Sequence, residues 1–222
     1  MTDLIDTTEM YLKAIYELEE EGLTPMRARI AERLEHSGPT VSQTVARMER
    51  DGLLVVKDDR QLEFTPEGRL TAIEVMRKHR LAERLLLEVI GLGWEEIHDE
   101  ACRWEHVMSE SVERRLVELV SDPGLSPFGM PVPGLELLGL PTREVNTCTA
   151  LADLLQGEYT LCRIGEPLQV DKQFLIQLKE LQLTPGVRVR VSKEGQGWFL
   201  SNAELIDGLV VDNHVAQHLF LG

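Results

Sequence analysis

The sequence predicts a mainly α protein with β: an amino-terminal winged helix-turn-helix, a helical middle domain and a small carboxy-terminal β-barrel. Three observations predict it. The first sixty-odd positions hold three helix-patterned segments and then a hairpin signal; helical periodicity persists from Thr65 to Val120; and from Leu151 the texture changes to short β-prone runs. The 222 residues are 43% hydrophobic and 27% charged, enough for real cores, and at roughly 100–150 residues per domain they suggest two domains, or three small ones.

Asp6 followed by Glu9 is a capping pattern, and Leu12, Ile15 and Tyr16 then recur at helical spacing until Gly22. Met26 to Leu34 forms a second short helix. A Ser37-Gly turn with Pro39 in the first turn opens a third, which buries Val41, Val45 and Met48, presents Thr40, Ser42, Gln43, Thr44 and Arg47, and ends near Gly52. Leu53-Leu-Val-Val, a polar Lys57-Asp-Asp-Arg turn and Leu62-Glu-Phe-Thr make the wing. Short hydroxyls and an amide on the third helix can reach base edges, and cations can reach phosphates. Thr65 caps the next helix, with Pro66 in its first turn and an apolar stripe running to Gly91; further helices span about Trp94 to Met108 and Ser109 to Val120. The Pro- and Gly-rich run Ser126 to Gly134 stops helix. Around Tyr159, Val187, Trp198 and Leu209 the runs are β-prone, with one helix near Phe174 to Leu181. The domains are therefore drawn at 1–73, 74–140 and 151–222, with a linker at 141–150.

Composition narrows the function. No stretch reaches the ~20 apolar residues of a bilayer span, and the acidic start is unlike a signal peptide, so a cytoplasmic protein is expected. Three cysteines, an odd count, argue against a disulfide framework; Cys148 and Cys162 are read as linker and barrel residues, and His214 and His218 as a surface pair. The net charge of −15 opposes nucleic-acid binding, yet Gly22 to Arg50 carries five Arg against three Glu, a local +2. DNA binding on that face should be conditional and strongly salt-dependent.

The chemistry concentrates in His98-Asp-Glu-Ala-Cys-Arg-Trp-Glu-His106. On a helix, positions 98, 102, 105 and 106 share one face. A thiolate, a carboxylate and an imidazole at 102, 105 and 106 can share a divalent ion, and their mixed softness suits a late first-row transition metal. His98 is about 12 Å along the axis from His106 at ~1.5 Å per residue, so a second site, shared with His79 and Glu83 of the preceding helix, is expected. Met10 lies roughly 150° from the apolar stripe of its helix at 100° per residue, leaving its thioether free to meet something outside that domain.

Asp6-Thr-Thr-Glu-Met-Tyr-Leu, Arg27-Ala-Arg-Ile-Ala-Glu-Arg-Leu, Ser37-Gly-Pro-Thr-Val-Ser-Gln-Thr-Val-Ala-Arg-Met-Glu-Arg-Asp-Gly52, Met76-Arg-Lys-His-Arg-Leu-Ala-Glu-Arg-Leu-Leu86, His98 to Met108 and Ser126-Pro-Phe-Gly closely resemble the diphtheria toxin repressor family of iron-dependent regulators. The match is near-continuous to about residue 139 and looser beyond. The resemblance implies an SH3-like carboxy-terminal domain and two Fe(II) sites per subunit. The primary site would use Met10, Cys102, Glu105 and His106; the ancillary site His79, Glu83 and His98, completed by an acidic residue and a glutamine of the last domain. Here those would be Asp171 and Gln173, in a stretch one residue shorter than is usual. Arg80 and Ser126 would hold an anion, although Met130 stands where the family has an amide. For DNA it implies Pro39 and Gln43 at bases, and Arg27, Thr40, Ser42, Arg47, Arg50 and Arg60 at phosphates.

The family's manganese-responsive branch has harder carboxylates in place of Met10 and Cys102, so Fe(II) is the expected metal; Co(II), Ni(II), Zn(II) and Mn(II) are surrogates. The expected mechanism is linkage, in which metal favours one interdomain arrangement of a homodimer whose recognition helices lie ~34 Å apart on a palindromic operator, with two dimers able to pair there. No membrane partner is expected. A manganese regulator is the alternative within the family. A metalloenzyme would need an open coordination position and a nearby general base, for which no separate motif speaks, and a metal buffer would leave the arginines unexplained.

Overall fold

The computed structural model describes residues 6–141 and 147–222. Half of the expected linker, residues 142–146, therefore lies outside the described residues, and its last two residues form a strand. Asp6 accepts hydrogen bonds from the Thr8 and Glu9 amides and starts α1 (Thr7–Glu20), which buries Tyr11, Leu12, Ile15 and Leu18. α2 (Arg27–Arg33) leads to α3 (Gly38–Arg50), whose N-cap Ser37 accepts from Thr40 N. α3 buries Val41, Thr44, Val45 and Met48. Thr44, expected on the polar face, turns inward because it sits at helical spacing from Val41 and Met48. β1 (Leu54–Val56) and β2 (Leu62–Phe64) pair antiparallel with Leu54 opposite Phe64, and Arg60 in their turn adopts a left-handed φ of 69°.

α4 (Pro66–Leu85), capped by Thr65, is the spine of the molecule. Ala72 belongs to the first core, with Leu12, Ile30, Val45 and Leu54; Leu81 and Ala82 belong to the second. A π-helical turn, Leu86–Ile90, ends at Gly91. α5 (Ile97–Trp104) and α6 (Glu110–Leu119) follow. The helix expected over 94–108 is shorter at both ends: past Trp104 the amides of Val107 and Met108 both turn back to the Trp104 carbonyl. Arg77 of α4 pairs with Glu113 of α6 at 2.5 Å, both buried.

The Ser126–Gly134 run fastens the middle domain to the last one. Phe128 is fully buried against Trp94, its carbonyl accepts from Ile164 N, and a Cβ on Gly129 (φ 77°) would collide with the Cys162 carbonyl. The last domain comprises β3 (Thr149–Ala150), β4 (Gly157–Ile164), α7 (Glu166–Gln169), α8 (Lys172–Glu180), β5 (Arg188–Glu194), β6 (Gly197–Asn202), β7 (Gly208–Val211), α9 (Asn213–Ala216) and β8 (Leu219–Leu221). The antiparallel order is β3-β8-β4-β5-β6-β7. The first half of β4 pairs with β5 and its second half with β8, with a bulge between Leu161 and Arg163 that bends the sheet. Among the described residues β3 and β7 remain its unpaired ends, so the expected barrel is open. The core of this domain is continuous with that of the middle one, from Leu81 and Phe128 to Trp198 and Leu221. Among the described residues no helix is long and apolar enough to cross a membrane.

Candidate metal centre and nucleic-acid interface

A cluster of buried polar side chains gathers where α1, α4, α5 and α7 meet, between the two cores. α4 presents His79 and Glu83 at i, i+4, both fully buried, with Nε2 to Oε1 at 3.0 Å. α5 brings His98, whose Nδ1 lies 3.3 Å from Glu83 Oε1, and Cys102, whose Sγ lies 3.7 Å from His98 Nε2. Glu105, in the turn after α5, reaches back so that its Oε2 lies 2.6 Å from His79 Nδ1. The ligating atoms of His79, His98 and Cys102 all fall within 4.8 Å of one another. His79, Glu83 and His98, expected in one site, thus form one connected network with Cys102 and Glu105, expected in another.

α1 supplies its cation. Lys13 Nζ lies 3.1 Å from Glu105 Oε2, 3.5 Å from Cys102 Sγ and 3.1 Å from His79 Nδ1. α7 supplies a further carboxylate: Glu166 Oε2 is 3.7 Å from both His79 Nε2 and His98 Nδ1, and 3.9 Å from Lys13. Burial opposes the Cys102 thiolate, but Lys13 and His98 beside it outweigh burial and lower its pKa to about 5. Burial likewise opposes charge on His98, but Cys102 and Glu83 outweigh it and raise it to about 10. His79 is raised well above its ordinary value against burial and Lys13, chiefly by Glu83 and Glu166; Glu105 falls to about 2 despite burial, through Lys13 and His79.

The donor set fits a transition metal. Two imidazoles, a thiolate and several carboxylates converge, and the buried oxygens Glu83 Oε2 and Glu166 Oε2 have no hydrogen-bond partner among the described residues. His106 stands at the edge, its Nδ1 2.6 Å from Glu9 Oε2 and its Nε2 3.4 Å from Glu105 Oε1. Met10, one turn before Lys13, is half-buried and packs against the first core, so the thioether thought free of that core has a place in it.

Two expectations are corrected. Asp171 and Gln173 are exposed, and Asp171 is the N-cap of α8, accepting from Phe174 N at 3.0 Å; the carboxylate that reaches His79 and His98 is Glu166. One turn on from Glu166, Gln169 is buried with its amide oxygen unpartnered. Glu-x-x-Gln on a short helix, an acid and an amide on one face, was the available signal. The anion seat is also filled otherwise: Arg80 is held by both oxygens of Glu20 (2.9 and 2.5 Å), by Pro131 O and by Glu166 Oε1 at 3.3 Å, while Ser126 Oγ accepts from Phe128 N. Lys13 and Glu9 were missed outright; their signal is position, since both share a helix face with Met10 or adjoin it.

On the outer face of the first domain, Pro39, Thr40, Ser42, Gln43, Arg47 and Arg50 of α3 are all exposed, as is Arg60 at the wing tip. Arg27 is half-buried with Nε unpartnered, and Thr40 shares a 2.7 Å contact with Ser37. The exposed positions belong to α3 and to the turn between β1 and β2.

Residues 3–62 match the family description "Iron dependent repressor, N-terminal DNA binding domain", and residues 65–134 match "Iron dependent repressor, metal binding and dimerisation domain". The chain belongs to the iron-dependent repressor family. It is 58% identical over 218 residues to the diphtheria toxin repressor of Corynebacterium glutamicum, covering 94% of this chain and 95% of that protein. It is also 58% identical over 197 residues to the iron-dependent repressor IdeR of Mycobacterium tuberculosis, covering 86% of each. Among solved structures, that of the manganese regulator SloR is 28% identical with a TM-score of 0.77, covering 97% of both chains. As in the family descriptions, this iron-dependent repressor has its DNA-binding domain ahead of its metal-binding and dimerisation domain.

Proposed function

We propose that this protein is an Fe(II)-activated repressor of iron-uptake and iron-homeostasis genes that binds a palindromic operator as a homodimer, two dimers pairing on one site. One observation carries the reading: side chains from all three domains, Lys13, His79 with Glu83, Cys102 with Glu105, and Glu166, converge on a single buried polar cluster. A cation taken up there acts on the relative placement of the domains, and hence on the exposed face of α3.

His79, Glu83, His98 and Glu166 would hold an ion in the buried part, and Met10, Cys102, Glu105 and His106 one at its edge. Iron(II), when bound, supplies a divalent charge that neutralises the carboxylates and thiolate. The thiolate of Cys102 favours Fe(II) over Mn(II), and Co(II), Ni(II) and Zn(II) serve as surrogates in solution. Glu83 orients both imidazoles, and Arg80 with Glu20 holds Glu166 in place. Exposed Val89, Ile90 and Leu119 support the dimer face: Glu88 bonds Ser121 N at 2.7 Å, which brings the π-helical turn and the end of α6 side by side.

A gel shift on a palindromic operator fragment, anaerobic, with and without Fe(II), tests the reading. Cys102→Ala should lose most of the metal-dependent shift and His79→Ala part of it. An equal shift without metal overturns it.

A further inference from the structure

The last domain holds two cysteines that the metal cluster does not use. Cys148 precedes β3, and Cys162 lies at the bulge of β4; these strands flank β8 on opposite sides. Across a regular sheet two such side chains would be kept apart by the strand between them. The bulge changes that. Cys162 Sγ turns back over the Thr160 carbonyl, 3.5 Å away, toward Gly222, and there it meets Cys148. A Cβ on Gly222 would lie 3.2 Å from Cys162 Sγ and 3.6 Å from Cys148 Sγ, so the two sulfurs share the space above a residue that has no side chain.

Both cysteines are half-buried and both line a cleft of about 660 Å³ between the middle and last domains, whose walls also carry Arg84, Trp94, Arg163 and Lys179. The cleft gives a small oxidant access to the two sulfurs. Burial and the neighbouring Cys148 push the Cys162 thiol up to about 12, so within the pair Cys162 keeps its proton. A soft-metal site would need both sulfurs deprotonated together; oxidation needs only one at a time.

We propose that Cys148 and Cys162 form a reversible dithiol–disulfide site, oxidised by hydrogen peroxide that enters this cleft. The Cys148 thiolate attacks one peroxide oxygen and the O–O bond breaks, giving Cys148 sulfenic acid and hydroxide, which takes up a proton. The Cys162 sulfur then attacks the sulfenic sulfur; the S–S bond forms, the S–OH bond breaks, and water leaves with the Cys162 proton. Two thiols lose two electrons and the peroxide becomes two waters. The product ties the segment before β3 to the bend of β4 across the end of β8.

The test treats the metal-free full chain with hydrogen peroxide and follows intact mass, peptide maps and thermal stability. The expected result is a mass loss of about 2 Da, one cross-link joining the peptides that carry Cys148 and Cys162, and a Tm higher by several degrees, all reversed by dithiothreitol. Cys162→Ser should stop at a Cys148 sulfenic acid trapped by dimedone. A cross-link through Cys102, sulfinic acid without a cross-link, or unchanged thiols overturns the proposal.

Discussion

Lys13 Nζ stands 3.1 Å from Nδ1 of His79, and the two cationic groups share one oxygen of Glu105, at 3.1 and 2.6 Å. Like charges this close are tolerated because Cys102, Glu105, Glu166 and Glu17 surround the ammonium and, against the cost of burial, raise its pKa. Lys13 is thus a tethered cation inside the cluster proposed to take up a metal.

Lys13→Met follows from that placement. Removing the ammonium leaves the anionic donors for a divalent ion, so Co(II) affinity should rise about tenfold, close to 1.4 kcal/mol. The metal-free protein should lose stability on the scale of a broken buried ion pair, about 3–5 kcal/mol. A Co(II) titration and a denaturation curve read the two effects, and unchanged metal affinity would show that Lys13 does not compete.

Glu166 and Asp171 separate ligation from capping. Glu166→Gln keeps the size but removes a charge 3.7 Å from both imidazoles, and should weaken metal binding about 10–100-fold. Asp171→Ala removes the α8 cap, costing about 1 kcal/mol of stability, and should leave metal binding unchanged. The reverse pattern would restore Asp171 as the ligand.

The pH dependence has a defined sign. The raised pKa of His98, about 10, stabilises the metal-free fold fully below its ordinary value, near 6.5, and that contribution fades as pH climbs toward 10. Cys102 runs the other way: its contribution is complete above its ordinary range and fades as pH falls to about 5. At neutral pH the thiol is already ionised while the imidazoles hold protons, so metal uptake should expel protons from His79 and His98. Apparent affinity should therefore climb between pH 6 and 8, roughly tenfold per unit for each proton released. Calorimetry in buffers of different ionisation enthalpy counts those protons, and a count of zero contradicts the assignment.

On DNA, the exposed α3 residues should divide by role. Gln43→Ala should relax preference at one base pair, costing about 1–3 kcal/mol there. Arg50→Ala should weaken binding alike on all sequences and reduce the salt slope by about one. Competition assays on operator variants at several salt concentrations distinguish the two.

Much was legible in the chain itself because it rests on local rules. Asp6, Ser37 and Thr65 stop one conformation and start another within four residues, and helical spacing alone puts His79 with Glu83 and His98 with Cys102 on common faces. Two strands escaped: β3 has two residues and β8 three, too few to show alternation, and each exists only through its partner. Thr44 looked like an interface residue because its type is polar, whereas its helical phase buries it.

What local order determined, then, is the series of elements, the α3 surface and the pairs of donors within single helices. Tertiary structure alone decided that these donors join one network, that Lys13 enters it from α1, and that Glu166 rather than Asp171 faces it from the last domain. The physical reason is range. A helix fixes neighbours three or four residues apart, but which side chain arrives from scores of residues away depends on how the docked run around Phe128 seats the sheet against α4, and no periodicity encodes that.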